Sequence, residues 1–487
     1  MPKSNGGRAK NPPPSSAKPR TLPRVKSPIA STPLTKDPAP STHKPTASLE
    51  TKTRPHPKEP TAKQTGTSPK STRHPAPKTR PDKRSEGPEK RACRALATDS
   101  PSGPVKKGGA GFKKVTSGNK DLLGVLESLK ISKQSRSKAT DKVNDVIDSI
   151  VKHVKTSSEY FQDIAKLPTG SYYENVKISE PDEFDIMLTI PVHRVQLEQF
   201  DSGGAFYSVS FKRNPRSPLE HFLLKDGTLS AHNMLFEFRK HVKEATKSQK
   251  ASHSLSFIKD VQVERKRKGC PAVTLQVKEI SVDIVLGLEV HSMSWPPMTK
   301  DGFNIVDWLG TKVKKDFKLK PFYLVPKYVG KGWDEKEGIY ARDVWRISFS
   351  HIEKAILRNH GSTKTCCESG GSKCCRKQCL KLLKHLLNEL KKKHPKELSK
   401  FFSYQAKTVL LHGCVKRPKD SQWELAHLDD CFQQLLDDFI KHLKTGSLPH
   451  FFVPTYNLLE SCSDSKKQEF LINCIDSERN NMFPIFK

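Results

Sequence analysis

The apolar residues between positions 143 and 154 recur at every third or fourth position. The residues that follow this spacing are Val143, Val146, Ile147, Ile150 and Val154. Because an α-helix turns once every 3.6 residues, these side chains share one face. The segment is therefore predicted to form a long amphipathic helix.

After Pro168 the alternation of apolar and polar residues changes to a period of two, which is typical of β-strands. Strands are predicted over residues 183–188, 273–277 and 280–286. From about residue 352 onward the apolar spacing is again helical. The order of one helix, mixed strands and then helices predicts an α+β fold, in which a helical lobe follows a lobe built on a mixed sheet.

The first 110 residues or so differ in composition from the rest of the chain. They hold 21 of the 36 prolines, 24 Lys and Arg against seven Asp and Glu, and no aromatic residue. A segment with so little to bury cannot offset its ordering entropy, so we expect a disordered arm whose charge attracts nucleic acid. An ordinary solvated linker is the alternative. The predicted division is a basic arm over 1–115, a sheet-bearing lobe over 116–335 and a helical lobe over 336–487.

The composition of the whole chain limits its class. A formal net charge of +34 over 487 residues indicates a polyanionic partner. No apolar run is long enough for a transmembrane helix. Because the sequence lacks an apolar stretch at its start, we do not expect a secreted protein. Five of the 11 cysteines lie between Cys366 and Cys379, which indicates a metal site in a reducing compartment rather than a disulfide framework.

Three carboxylates fall within the predicted strands. Glu183 and Asp185 alternate, so they project from the same face of one strand. Asp283 lies inside an apolar strand, where an unpaired carboxylate would be costly. Binding of Mg²⁺ by all three would remove that cost, and two such ions could activate a hydroxyl group and neutralise a leaving pyrophosphate.

A Gly-Ser dipeptide precedes these acids by a short interval. Gly170 and Ser171 follow Thr169, and 11 residues separate Ser171 from Glu183. A turn of this kind can offer backbone N–H groups and a hydroxyl to a triphosphate. Each motif alone is weak, since an acidic pair on an edge strand is usually solvated, but their order together indicates a nucleotidyltransferase site.

The cysteine-rich segment has the ligand chemistry of zinc. His360 is followed by paired and single cysteines with the spacing H-x5-C-C-x6-C, which is not a common zinc-finger pattern. Thiolate and imidazole are the ligands that Zn²⁺ prefers in closed structural sites. Basic residues surround the cysteines, so we expect this segment, residues 360–379, to contact nucleic acid by charge and shape. We call it the cysteine loop.

These features together resemble the mammalian cyclic GMP-AMP synthases, a family related to Mab-21-like proteins and oligoadenylate synthases. The resemblance is carried by residues 169–174, by Glu183-Phe184-Asp185 and by the cysteine loop, and it covers about residues 115–487. It implies a bilobal nucleotidyltransferase fold with the active site between the lobes. The implied cofactors are Mg²⁺ (or Mn²⁺) and Zn²⁺.

The resemblance also implies roles for individual residues. The catalytic, Mg²⁺-binding acids would be Glu183, Asp185 and Asp283. The nucleotide-binding residues would be Thr169, Gly170, Ser171, Arg346, Ser348, Lys384, Ser403 and Tyr404. The zinc ligands would be His360, Cys366, Cys367 and Cys374. The residues expected to bind double-stranded DNA are Lys130, Lys133, Lys354, Lys364, Lys377 and Lys381. A second surface for DNA or for the acidic patch of nucleosomes would comprise Arg194, Arg265, Lys266 and Arg267, where the run continues to Lys268.

The function implied by this resemblance is DNA-activated synthesis of 2′,3′-cyclic GMP-AMP from ATP and GTP. The product would act as a second messenger for the receptor STING in innate immunity. The enzyme would work in the cytosol and nucleus, as a homodimer on DNA. Two alternatives remain open: an RNA-activated polymerase of the oligoadenylate synthase type, and a non-catalytic Mab-21-like module that binds chromatin or DNA.

Overall fold

The computed structural model describes residues 117–487, apart from 179, 213–216, 252–260, 268 and 329. The predictions for the basic arm and for Lys268 therefore lie outside the described residues. Within the described ranges, no helix is long and apolar enough to cross a membrane.

Eleven strands occur in the described residues, nine of them in one mixed sheet. They are β1 (Ala165–Thr169), β2 (Glu183–Val192), β3 (Val195–Gln199), β4 (Phe206–Phe211), β5 (Val261–Val263), β6 (Ala272–Val277), β7 (Ile280–Val290), β8 (Phe322–Val325), β9 (Glu335–Lys336), β10 (Ile339–Tyr340) and β11 (Trp345–Ser348). The sheet runs in the order β1-β2-β7-β8-β11-β4-β3, β6 joins β7 to β5, and β9 and β10 form a separate hairpin.

Eleven α-helices occur in the described residues, before, between and after the strands in chain order. They are α1 (Ser117–Ser128), α2 (Lys133–Ser157), α3 (Gly170–Tyr173), α4 (Ala231–Ala251), α5 (Val306–Leu309), α6 (Thr311–Lys318), α7 (Ser350–Arg358), α8 (Arg376–Lys393), α9 (Ser403–Lys416), α10 (Leu428–Thr445) and α11 (Ser465–Asn480). The predicted α+β class is confirmed: a mixed-sheet lobe with a long helix is followed by a helical lobe. The boundary between residues 335 and 336 remains a prediction, and the sheet draws β11 from beyond it.

The long helix is α2, which we call the spine helix. Its predicted apolar face is buried, with Val143, Ile147 and Val154 fully inaccessible to solvent. Ser132 caps its first turn by accepting a hydrogen bond from the Ser135 N–H. Lys130, one of the residues expected to bind DNA, precedes this cap in the turn after α1, so it does not lie on the spine helix.

Strands β2 and β7 form a parallel pair, and every other pairing among the described strands of the sheet is antiparallel. Phe184 and Ile186 of β2 are fully buried, as are Val282 and Ile284 of β7. These side chains alternate with the acids of the predicted site. The apolar face therefore holds both strands in the core, and the polar residues between them point to the opposite face.

Candidate functional site

The pairing of β2 with β7 brings the three predicted acids together. Asp185 lies directly opposite Asp283 in the strand register, and Glu183 lies opposite Ser281. Because Glu183 and Asp185 are two residues apart, they share one face of β2. The predicted cluster of carboxylates is thus present in the fold.

Asp283 has a partner that the sequence did not reveal. Thr274 lies opposite it in β6, and the Thr274 Oγ1 donates a hydrogen bond to Asp283 Oδ1 at 2.6 Å. This contact satisfies one carboxylate oxygen inside an apolar strand. It also fixes the direction in which the second oxygen points.

The turn before β2 packs against the carboxylate of Asp185. Thr169 ends β1 opposite Asp185, and Gly170 follows with a φ of +78°. A Cβ atom at position 170 would lie 1.9 Å from Asp185 Oδ2. Glycine is therefore required there both by the backbone conformation and by the proximity of the carboxylate.

The electrostatics of the cluster favour a bound cation. Burial, and then the charges of Glu183 and Asp283, raise the pKa of Asp185 to about 6. Three carboxylate groups at this spacing repel one another, and a divalent cation with a preference for oxygen ligands would relieve the repulsion. The residues present therefore fit Mg²⁺ or Mn²⁺.

Glu183 also has a basic neighbour. The buried Lys177 Nζ lies 2.9 Å from Glu183 Oε2 and 3.1 Å from Asp182 Oδ1. Its ion pair orients Glu183 at the mouth of the site, and the sequence pattern did not identify it.

A cleft of about 730 Å³ adjoins these acids. Three of the predicted nucleotide-binding residues, Ser171, Lys384 and Ser403, line it together with Glu183. The Lys384 Nζ donates to the Val176 carbonyl at 2.8 Å, and burial together with Lys407 lowers the pKa of Lys384 to about 8. The cleft therefore joins the acids of the sheet lobe to helices α8 and α9.

Arg346 and Ser348 lie two residues apart on β11, so they share a face of that strand. Arg346 has a cationic neighbour, Lys327, whose pKa falls to about 8, first because of Arg346 and then because of burial. Two adjacent cations repel each other, and an anionic ligand bound beside them would relieve this repulsion. Lys327 is a candidate that the sequence did not indicate.

Tyr404 is held by a network of buried polar groups. Its hydroxyl donates to Glu353 Oε1 at 2.8 Å and lies 2.9 Å from His450 Nε2. Lys407 joins Glu353 to Glu174, at 2.9 and 2.7 Å. Since Glu174 directly follows α3, this network ties the Gly-Ser turn to α7 and α9.

The spine helix contacts the same turn through Tyr172. The Tyr172 hydroxyl donates to the Arg136 carbonyl at 2.9 Å, and its ring packs 4.2 Å from that of Phe184 in β2. Arg136 Nη2 donates to Asn175 Oδ1 at 2.8 Å. A displacement of the first turns of the spine helix would therefore be transmitted to the residues next to Gly170 and the acids.

The four predicted zinc ligands converge in the cysteine loop. One ligand atom each from His360, Cys366, Cys367 and Cys374 lies within 4.8 Å of all the others. His360 Nδ1 bonds to the Leu357 carbonyl at 3.1 Å, whereas its buried Nε2 has no hydrogen-bond partner. Burial lowers the pKa of His360 to about 4, which keeps the ring neutral. A neutral imidazole with one free nitrogen beside three thiols fits Zn²⁺.

A distant carboxylate anchors the cysteine loop. Asp420 accepts hydrogen bonds from the N–H groups of Ser362 and Thr363, both at 2.9 Å, and from the Thr363 hydroxyl at 2.7 Å. It also pairs with the fully buried Arg376, at 2.6 Å. Hydrogen bonds from Thr363, Ser362 and Arg376 hold the pKa of Asp420 far below its usual range. Sequence reasoning missed this anchor because it comes from 58 residues farther along the chain than Ser362.

Predicted DNA-binding residues from different elements form one basic surface. Burial, followed by the charges of Arg136, Lys377 and Lys130, lowers the pKa of Lys381. Cations from the spine helix, from the turn before it and from α8 therefore lie close to one another. Lys130 pairs with Glu127, whereas Lys377 and Lys381 have no carboxylate partner in the described part of the chain, and such uncompensated cations attract a polyanion.

The remaining basic residues are placed separately. Lys133 and Lys364 are exposed, whereas the Lys354 ammonium donates to the Pro168 carbonyl next to the Gly-Ser turn. Arg194 is exposed in the β2–β3 turn with a φ of 55°. Three further basic residues are exposed: Arg265, Lys266 and Arg267. Arg267 pairs with Glu264 at 2.6 Å.

Known protein families match most of the described chain. Residues 172–359 match the Mab-21 protein nucleotidyltransferase domain, and residues 375–477 match the Mab-21 protein HhH/H2TH-like domain. A cyclic GMP-AMP synthase of Sus scrofa is 48% identical over 372 residues, which are 75% of this chain and 72% of that protein. The enzyme of Mus musculus is 47% identical over 75% of this chain and 70% of that protein. A cyclic GMP-AMP synthase-like protein of Drosophila melanogaster is 22% identical over 70% of this chain and 87% of that protein.

The mixed sheet, the Gly-Ser turn and the acids define a nucleotidyltransferase. The sequence identity of nearly one half to the enzymes of Sus scrofa and Mus musculus, over most of both chains, narrows the class of protein further. The chain belongs to the cyclic GMP-AMP synthase family.

Proposed function

We propose that the chain synthesises 2′,3′-cyclic GMP-AMP from ATP and GTP when double-stranded DNA is bound. The observation that carries the proposal is the register of β2 and β7, which sets Asp185 against Asp283, while Glu183 of the same strand lines a cleft of about 730 Å³. In this proposal the product is a second messenger for STING.

Glu183, Asp185 and Asp283 would hold two divalent cations. When bound, these ions would activate the attacking hydroxyl and neutralise the pyrophosphate leaving group. The chain's own residues orient the acids: Thr274 bonds to Asp283, Lys177 pairs with Glu183, and Gly170 leaves room for Asp185.

The nucleotides would be positioned by residues around the cleft. Thr169, Gly170 and Ser171 offer the turn beside the acids, and Lys384 and Ser403 line the opposite wall. Arg346 and Ser348 share a face of β11 and would contact the guanine-side nucleotide. Tyr404, held by Glu353 and His450, would stack on a base.

DNA would activate the enzyme through the basic surface. A duplex can favour one conformation of the Gly-Ser turn only if its contacts differ between the two states. The structure offers a route for such a difference, because Arg136 and Tyr172 link the spine helix to the turn and Lys354 bonds to Pro168. Contacts with phosphates read charge and shape, so activation should depend little on base sequence.

The cysteine loop would hold Zn²⁺ through His360, Cys366, Cys367 and Cys374. Lys364 of the loop, with Lys377 and Lys381 of α8, would then meet the duplex as one rigid unit. The second surface, with Arg194 and residues 265–267, would contact another DNA or the acidic patch of nucleosomes. A homodimer on DNA, acting in the cytosol and nucleus, completes the proposal.

The test is nucleotide turnover with ATP, GTP and Mg²⁺, with and without duplexes of unrelated sequence. We expect product only with duplex DNA, and digestion with linkage-specific nucleases should identify one 2′–5′ and one 3′–5′ bond. Charge reversal of the exposed Lys133 to Glu should lower activity at moderate salt. Linear oligoadenylates as the main product, or synthesis that follows the base sequence of the duplex, would refute the proposal.

A further inference from the structure

The cleft beside the acids continues past the residues assigned to the donor phosphates. Helix α8 lines it with Lys384, Leu387, Asn388, Lys391 and Lys392. These positions are spaced at three and four residues, so they form one face of the helix. At 1.5 Å per residue, Lys391 and Lys392 lie about 10 Å beyond Lys384 along the axis.

The outer part of the cleft has its own basic residues. The Lys391 Nζ donates to the Phe401 carbonyl at 3.0 Å, which holds the ammonium group in place. Lys392 follows it on the cleft side and pairs with Glu389 at 2.8 Å. On the opposite wall, Asp182 and Glu183 are paired with Lys177, and Glu279 is the remaining acid. The α8 wall is thus the cationic one.

An aromatic ring stands at the end of this wall. Phe402 lines the cleft and is 51% exposed. The Lys391 Nζ lies 4.6 Å from the centroid of its ring, so one ring face carries a cation. The main chain at Phe402 is held at the start of α9, because its N–H donates to the Gln405 side chain at 3.0 Å. An exposed ring held in this way can stack on a planar base.

From these contacts we infer that the outer cleft, with Lys391, Lys392 and Phe402, is a subsite for dinucleoside polyphosphates, in which two nucleosides are joined by four or more phosphates. The order of groups along the cleft matches this class of ligand. The acids and Lys384 would receive the first nucleotide and its phosphates, Lys391 and Lys392 the extra phosphates, and Phe402 the second base. This inference rests on the proposed function, because it places the donor nucleotide at the acids.

The inference is tested by calorimetric binding to the full chain with Mg²⁺ and duplex DNA. The ligands are the α,β-methylene analogues of ATP, adenosine tetraphosphate and diadenosine tetraphosphate, which block phosphoryl transfer. We expect the diadenosine compound to bind at least about fivefold more tightly than the ATP analogue, since stacking on an aromatic ring contributes a factor of this order. The tetraphosphate should gain affinity through the lysines alone.

Variants separate the contributions of the lysines and the ring. Phe402→Ser should remove the advantage of the diadenosine compound over the tetraphosphate, and Phe402→Tyr should preserve it. The double substitution Lys391→Gln and Lys392→Gln should remove the advantage of the tetraphosphate over ATP and reduce, without abolishing, that of the diadenosine compound, which still stacks on Phe402. Lys393→Gln is the matched control, because Lys393 follows on the same helix but pairs with Glu478 at 3.4 Å. Each ratio is taken within one variant, so a general loss of folding does not imitate the result.

Equal or weaker binding of the diadenosine compound by the unaltered chain would overturn the inference, as would an advantage that survives Phe402→Ser. Synthesis from ATP and GTP is measured in parallel on the same preparation. Product formation without the predicted binding refutes the subsite alone. Absence of product with DNA refutes the proposed function instead.

Discussion

The carboxylate site and the cysteine loop are built in different ways. The acids come from two strands far apart in the chain, and the β2–β7 register brings Asp185 and Asp283 together. The four ligands of the cysteine loop lie within 15 consecutive positions, from His360 to Cys374. The first site therefore needs the whole sheet to form, whereas the second is nearly complete in one short segment.

The two regions also differ in how their groups are supported. Around the acids, support comes from several elements: Thr274 bonds to Asp283, Lys177 pairs with Glu183, and Gly170, which has no side chain, leaves room for Asp185. In the cysteine loop one carboxylate, Asp420, and its buried partner Arg376 supply the charged anchor, and Trp308 adds a hydrogen bond to the His360 carbonyl at 2.9 Å. The comparison teaches that a local motif can be read from its spacing, although its attachment to the fold cannot.

The largest effect should follow from removing an acid. We expect Asp283→Asn to reduce DNA-stimulated synthesis at least about 100-fold, close to 3 kcal/mol in the activation barrier, because a charged cation ligand is lost. Bound zinc per chain and affinity for DNA should stay near those of the unaltered chain. A parallel loss of zinc would show that the two regions are not independent.

The next largest effect concerns the cysteine loop itself. Cys366→Ala should lose bound zinc, since three ligands cannot close the tetrahedral site, and DNA-stimulated synthesis should fall with it. Elemental analysis of the purified chain measures the zinc, with Cys474→Ala as the control for a half-buried cysteine outside the loop. Full activity in a chain freed of zinc would contradict this prediction.

A smaller effect should follow from weakening the anchor. Asp420→Asn keeps the size of the side chain but leaves the buried Arg376 without its counter-charge. We expect zinc to be held about tenfold more weakly, measured by competition with a chromophoric chelator, because groups outside the ligand set commonly contribute this much.

The control is Asp438→Asn. Asp438 also pairs with a buried arginine, Arg417, at 2.6 Å, but it does not contact the cysteine loop. This variant should lower the free energy of unfolding without weakening the hold on zinc. If both variants release zinc equally, the effect is one of general stability and the anchor has no special role.

The smallest effect is a pH dependence of the free energy of unfolding, which arises at His450 beside Tyr404. His450 Nδ1 accepts from the Val453 N–H at 3.1 Å, and burial lowers the pKa of His450 to about 4. This value lies below the usual 6.5, so the unfolded chain binds the proton more tightly than the folded chain does. The free energy of unfolding should therefore be highest above pH 6.5 and decline as the pH falls toward 4.

The contribution of His450 should be roughly 1–2 kcal/mol between pH 7 and pH 5. Urea titrations at both pH values give the free energy of unfolding. The contribution of His450 is the difference between the unaltered chain and His450→Asn in the slope of this free energy against pH. The exposed His427 provides the control, because replacing it should leave the slope unchanged. A His450→Asn variant with the original slope would show that this ring does not titrate as described.

The sequence alone determined the motifs and the periodic elements. The apolar spacing of the spine helix and the alternation in β2 are local, and both elements were confirmed. The ligand spacing of the cysteine loop is local as well: its four predicted ligands lie together, and the binding of zinc stays a prediction. The order of Gly170, Glu183 and the distant Asp283 was enough to predict a nucleotidyltransferase. The periodic elements and the cysteine loop can be read because their signals depend on residues only a few positions apart. Asp283 lies far from the other acids, but it could be recognised because it interrupts an apolar strand.

Only the tertiary structure decided which distant groups support these motifs. Thr274 beside Asp283, Lys407 between Glu174 and Glu353, and Asp420 beneath the cysteine loop leave no periodic signal. Each partner is selected because a buried charge or polar atom must be satisfied, and packing alone determines which residue is near enough to do so. Lys354 is a further example: its contact with DNA stays a prediction, and only the fold shows that its ammonium group donates to the Pro168 carbonyl.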